Sequence, residues 1–180
     1  QKRRYRGIVG VNIGKNLDTA VEKALDDYVY CLRKVYGVAD YVVVNLSSPN
    51  TPGLRSLQFG EQLESLLAAL KAEQGALAQV HARQVPVLIK IAPDLSAQEI
   101  HGIALSLRKY AMDGVIATNT TVGRNGVEGS PYASEAGGLS GAPLREAADL
   151  VLAGLCKSLD GSMPVIGVGG IMKGADALRK

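Results

Sequence analysis

The sequence predicts a parallel α/β fold in which strands and helices alternate along the 180 residues. Three observations predict it. Short runs rich in β-branched residues alternate with longer amphipathic stretches, the signature of repeated βα units. Each run is nearly all apolar instead of alternating with polar residues, as expected of a strand covered on both faces. Each run also ends in a cluster of Asn, Lys, Thr or Gly.

The first run, 8–13, carries Asn12 and leads to a helix-length segment over 18–36. The second, 41–45, ends on Asn45, passes through a polar loop and leads to a helix over 60–82. The third, 85–91, has Lys90 near its end. The helix after it, over 96–111, opens on Ser96-Ala97-Gln98-Glu99, a capping box in which the Ser oxygen accepts a backbone N–H while Glu reaches back. The fourth run, 114–118, ends in Thr118-Asn119-Thr120-Thr121 and enters a long glycine-bearing loop. A helix over 143–159 follows, with Pro143 in its first turn, where a missing N–H is harmless. The fifth, 164–168, runs into Gly167–Gly170, and a last helix begins near Gly174.

A repeating βα chain fits both an open doubly wound sheet and a closed eight-stranded barrel, and periodicity alone does not separate them. The polar clusters do. A doubly wound sheet gathers ligands at one switch point, whereas a (β/α)8 TIM barrel converges the loops after many strands on one face. Five units are fewer than eight, so the expectation is one partial TIM-barrel domain over residues 1–180, truncated at both ends.

Composition narrows the function. With 47% hydrophobic residues the chain has the material for a sizeable core and is no disordered segment. Twenty Lys and Arg against 17 Asp and Glu give a net charge of +3, too small and dispersed to predict a nucleic-acid partner. The one dense basic run, at 1–6, reads as a solvated connector in preference to a lipid-headgroup contact. No stretch approaches a membrane span or a signal peptide, so the chain is expected to be soluble. Cys31 and Cys156 sit in helical patterns without a CxxC partner motif; both are expected buried and reduced, with no metal site. His81 and His101 lie in helical stretches away from strand ends and receive no acid–base role.

Three motifs carry chemistry. The segment from Asn45 to Arg55 (NLSSPNTPGLR) is loaded with amides and hydroxyls that can read a planar heterocycle or hold a carboxylate. Taken alone it is equally an Asx/Pro turn, and the turn is favoured. Lys90 is a lone cation at the end of an apolar strand. Burying an unpartnered ammonium is unfavourable, so an inward Lys90 meets an anionic ligand, a reading preferred to snorkelling outward. Thr118–Thr121 opens a loop of a length that is usually functional or disordered. The glycines at 137–141 and 167–170 permit close backbone approach to phosphate or a flat ring, although tight βα turns use Gly in any case.

The strings GVNIGKN (10–16), NLSSPNTPGLRSLQ (45–58), KIAPDLS (90–96), DGVIATNTT (113–121), GGLSG (137–141) and PVIGVGGI (164–171) occur in an order and spacing that resemble the quinone-dependent, class 2 dihydroorotate dehydrogenases in their proteobacterial form. The resemblance implies FMN-dependent oxidation of dihydroorotate to orotate in pyrimidine synthesis, with a membrane quinone as electron acceptor. Ser48 aligns with the family's catalytic base, which removes the C5 proton while hydride passes from C6 to FMN. Soluble class 1 members carry Cys there. The resemblance also implies FMN contacts from Asn12, Asn45, Lys90, Thr118, Gly141 and Gly170, with Lys90 stabilising the reduced ring. Asn45, Asn50, Asn119 and Thr120 are implied to hold the pyrimidine, and Thr51 to support Ser48.

The family's membrane-contacting segment, early strands and last strand lie outside the matching strings. Membrane contact is therefore expected only through a segment absent here, with the full-length parent peripheral at the cytoplasmic face of the inner membrane. Two alternatives stand beside this reading: a flavin- or pyrimidine-binding fragment without catalysis, and a class 1 or dihydropyrimidine dehydrogenase-like flavoenzyme, which would carry Cys at position 48.

Overall fold

The apolar runs form five strands in the computed structural model, which describes residues 5–180: β1 (Gly10–Ile13), β2 (Tyr41–Asn45), β3 (Val87–Ile91), β4 (Gly114–Ala117) and β5 (Val165–Gly167). Most of the basic run at 1–6 lies outside the described residues. Every neighbouring pair is parallel, and the spatial order follows the chain, β1-β2-β3-β4-β5. A doubly wound sheet reverses its order at a switch point. Unbroken sequential order is the winding of a barrel, and it decides between the two architectures.

Five helices follow the strands: α1 (Ala24–Val35), α2 (Gly60–His81), α3 (Ala97–Lys109), α4 (Arg145–Leu159) and α5 (Gly174–Arg179). Strand side chains alternate between faces with a period of two. Val42, Val44, Ile89 and Val115 therefore point one way, into the main core with Leu32, Leu67, Leu107 and Leu155 from the helices. Val43, Leu88 and Ile116 point the other way and form a separate cluster with Tyr41. The same alternation puts Asn12, Asn45, Lys90 and Thr118 on that second face, the inside of the barrel wall, at the strands' C-terminal ends.

Several boundaries are shorter than expected, for local reasons. β3 begins at Val87 because Pro86 has no N–H and the Val85 N–H donates to the Tyr36 hydroxyl at 3.1 Å. The first helical segment opens as a 3-10 turn, Val21–Lys23, before α1, and Pro143 sits in another, Ala142–Leu144, before α4. The capping box of α3 is present: Glu99 accepts the Ser96 N–H at 2.7 Å, and Ser96 Oγ accepts the Glu99 N–H at 3.3 Å. The cysteines correct the sequence reading, since Cys31 is only partly buried and Cys156 is exposed. Leu155 takes the core position on α4, and Cys156 stands about 100° further round the helix. His81 is exposed beside the Tyr36 ring, and His101 is exposed on α3. Among the described residues no helix is long and apolar enough to cross a membrane.

Candidate active site

The site starts from Asn45, the last residue of β2. Its backbone carbonyl accepts from the Tyr28 hydroxyl at 2.7 Å. Tyr28 is wholly buried, and burial raises its hydroxyl well above the ordinary tyrosine range, so it remains a donor. Ser47 follows, also without exposed surface. Its Oγ lies 3.0 Å from Asn45 Oδ1 and 3.0 Å from the Lys90 carbonyl, and the Ser47 N–H donates to Asn45 Oδ1 at 3.2 Å.

Asn119, just beyond β4, completes this cluster, and hydrogen-bond accounting orients both amides. Asn119 Oδ1 accepts the Thr120 N–H at 2.8 Å, so its Nδ2 must face the cluster, donating to Ser47 Oγ at 3.0 Å and to Asn45 Oδ1 at 3.2 Å. Asn45 Oδ1 is thereby filled. Its Nδ2 is left as a donor with no protein partner among the described residues.

Arg55 ties the loops together from a 3-10 turn, Leu54–Gln58. Its Nε donates to the Ser47 carbonyl at 3.1 Å, one terminal nitrogen to Asp94 at 2.8 Å and the other to the Thr120 carbonyl at 3.0 Å. Asp94 also accepts from the Thr121 hydroxyl and from the Val122 N–H. Below them Gln58, buried, donates to the Arg55 carbonyl and accepts the Ala92 N–H. The loops after β2, β3 and β4 thus share one polar clamp. The residue types of Arg55, Asp94 and Gln58 name no role by themselves: an Arg in a polar loop looks solvated until the carboxylate 39 positions away is folded against it.

The long loop after β4 is ordered. Thr121 and Leu139 pair as an antiparallel bridge at its base, and the Arg124 guanidinium donates to carbonyls of Val122, Gly123, Ala133, Glu135 and Gly137. Its glycines lie against the β2 loop so closely that a Cβ on Gly138 would fall 1.8 Å from Thr120 Oγ1 and 3.0 Å from Pro49. Ser48 is half-buried in that β2 loop, its Oγ accepting the Asn50 N–H at 3.3 Å. The segment is therefore a turn, and it also carries polar side chains toward the site.

A cavity of about 420 Å³ opens here, bounded by Lys90, Thr118, Asn119, Thr120, Gly141 and Gly170. Gly170 has φ +70°, and a Cβ there would lie 2.4 Å from Arg145 Cα, so only glycine lets this turn rest on the start of α4. The Gly170 carbonyl accepts from Arg145 Nε at 2.9 Å, and Arg145 pairs with the buried Asp176. Lys90 is half-buried, with no side-chain hydrogen bond or ion pair among the described residues. A cation without a counter-ion, amide donors and glycine turns around this volume fit a planar, acceptor-rich, anionic group. A larger cleft of about 640 Å³, between the long loop and α4, is bordered by Arg145, Asp149 and Arg179, whose charges are already paired with Asp176 and Lys180.

Of the expected site residues, Lys90, Thr118, Asn119, Thr120, Gly141 and Gly170 share the cavity, and Asn45 joins them through Asn119. Ser48 and Asn50 stand in the adjoining loop, where Asn50 Oδ1 closely approaches Gly137. Asn12 stays apart: exposed, on β1, level with Val43 in the register.

Sequential parallel winding, with polar side chains gathered on the inner face at the strand ends, defines part of an α/β barrel, a class in which active sites lie at the C-terminal ends of the strands. The family model described as dihydroorotate dehydrogenase matches residues 1–180. The chain belongs to the dihydroorotate dehydrogenase family. It is 59% identical over 180 residues to a protein of Saccharophagus degradans named dihydroorotate dehydrogenase (quinone), covering all of this chain and 53% of that one. A protein of Cellvibrio japonicus with the same name is also 59% identical, with the same coverage. The crystal structure of DHODH from Eimeria tenella in complex with ferulenol superposes with a TM-score of 0.89 at 37% identity, covering 97% of this chain and 49% of that one. The chain spans about half the length of the curated relatives it matches.

Proposed function

We propose that the protein to which these residues belong oxidises dihydroorotate to orotate with FMN as cofactor and a membrane quinone as final acceptor, and that residues 1–180 form a single partial FMN-binding barrel domain. The observation that carries this reading is Lys90, without an ion pair among the described residues, bordering a cavity together with Gly141, Gly170 and Asn119, whose amide pairs with Asn45. FMN, when bound, supplies the hydride acceptor.

The chain's own residues do the rest. Asn12, Asn45, Lys90, Thr118, Gly141 and Gly170 hold the flavin, with the Lys90 ammonium placed to stabilise negative charge electrostatically. Asn45, Asn50, Asn119 and Thr120 hold the pyrimidine and its carboxylate, and the oriented Nδ2 of Asn45 donates to a ligand oxygen. Ser48 accepts the substrate proton. A serine is a weak base at its ordinary pKa, so it acts through a hydrogen-bonded relay.

Quinone as acceptor is supported by the names of the relatives and by serine, not cysteine, at position 48. The proposed setting is peripheral, at the cytoplasmic face of the inner membrane, with contact made outside residues 1–180. Orotate formation by the intact protein with a soluble quinone analogue tests the overall reaction. Turnover with fumarate or a nicotinamide cofactor, and none with the quinone, would overturn the class 2 assignment.

A further inference from the structure

Arg55 is placed to do more than fasten a surface loop. Its three guanidinium nitrogens go to three loops: Nε to the Ser47 carbonyl, one terminal nitrogen to Asp94, the other to the Thr120 carbonyl. Such planar, charge-assisted contacts fix angle as well as distance. Ser48 follows Ser47 directly, and among the described residues its hydroxyl meets only the Asn50 N–H, within the same turn. Asn119 and Thr120 belong to the loop after β4. The Arg55 bridge from Ser47 to Thr120 therefore links the backbones carrying the proposed base and the proposed pyrimidine contacts.

We propose that Arg55, anchored by Asp94, is a positioning residue that sets the separation between the Ser48 hydroxyl and a pyrimidine held by Asn119 and Thr120. The inference rests on the functional reading above and deepens it. Asp94 holds the other side of the clamp through Thr121 and Val122. A lysine at position 55 retains the charge opposite Asp94, but a single ammonium cannot span three divergent acceptors.

The test compares Arg55→Lys, Arg55→Met and Asp94→Asn in the intact, flavin-loaded protein, with Arg33→Met as control. Arg33 pairs with Glu73 on the helical surface at 2.7 Å, away from the site. The readouts are FMN content, melting temperature, anaerobic flavin reduction at saturating dihydroorotate, and amide hydrogen exchange at residues 46–50 and 118–122. Arg55→Lys is expected to keep FMN and melting temperature near wild type while flavin reduction falls about 10- to 100-fold, the scale associated with misplacing reacting groups by about 1 Å. Exchange in both segments is expected to rise. Asp94→Asn added to Arg55→Met should lower the rate less than the product of the single effects, because the two act as one unit. Wild-type reduction and exchange in Arg55→Lys would overturn the proposal, as would a rate loss that merely follows melting temperature and recurs in Arg33→Met. If dihydroorotate never reduces the wild-type flavin, the functional reading fails and the positioning role falls with it; reduction in the wild type that Arg55→Lys leaves unchanged overturns the positioning role alone.

Discussion

Asn119 Nδ2 donates to Asn45 Oδ1 at 3.2 Å, joining two strand ends 74 positions apart. Because Asn119 Oδ1 is already taken by the Thr120 N–H, the bond has one polarity and leaves Asn45 with a donor to offer. Asn119→Asp puts an acceptor against Asn45 Oδ1 and Ser47 Oγ, leaving the amide either repelled or turned round. Orotate affinity, read by perturbation of the flavin spectrum, should fall by about 10- to 100-fold, or about 1.4–2.8 kcal/mol. Wild-type affinity would show that Asn45 does not address the ligand through Nδ2.

Ser48→Ala should slow the reductive half-reaction by about two to four orders of magnitude while FMN stays bound. Ser48 stands in the adjoining loop and does not border the cavity of Lys90 and Gly141, so removing its hydroxyl leaves the proposed flavin contacts in place. Rapid-mixing absorbance separates the two effects. Flavin reduction at the wild-type rate would remove Ser48 from the mechanism.

Lys90→Ala removes from the cavity lining a cation that has no ion pair among the described residues. Both flavin retention after dialysis and the rate of flavin reduction should drop. If FMN remains stoichiometric and is reduced normally, Lys90 does not face the ring.

Asp176 predicts a pH dependence of stability. Its carboxylate is held below the usual range, first by the Met172 N–H; burial, the next largest effect, opposes this, and Arg145, the Lys173 N–H and Arg179 each add to the lowering. A depressed folded-state pKa contributes stability that is present above the ordinary carboxylate pKa and is lost as pH falls through the folded value. Melting temperature should therefore drop more steeply below about pH 4 in the wild type than in Asp176→Asn, which is already weakened at neutral pH. Parallel curves would mean that Asp176 does not titrate with unfolding.

The barrel was legible because its signals are local. Apolar runs, the Ser96–Glu99 box and polar strand ends are each contained in a few consecutive residues, and the pleat then puts Asn45 and Lys90 on the inner face whatever the exact boundaries. What escaped was set by distant partners. β3 starts late because the Val85 N–H goes to Tyr36, at the C-terminal end of α1 and 49 positions away, and Cys156 is exposed because Leu155 takes the core position. The Arg55–Asp94 clamp and the buried Ser47 hydroxyl were invisible for the same reason: their partners lie 39 and 72 positions away, and nothing in the residue types names them.

Whether this site takes dihydroorotate and passes its electrons to FMN is read by adding dihydroorotate anaerobically to the intact protein with bound FMN and following the oxidised flavin band. Bleaching that requires the protein is expected, with one orotate formed per flavin reduced. Bound flavin that stays oxidised under saturating dihydroorotate would contradict it.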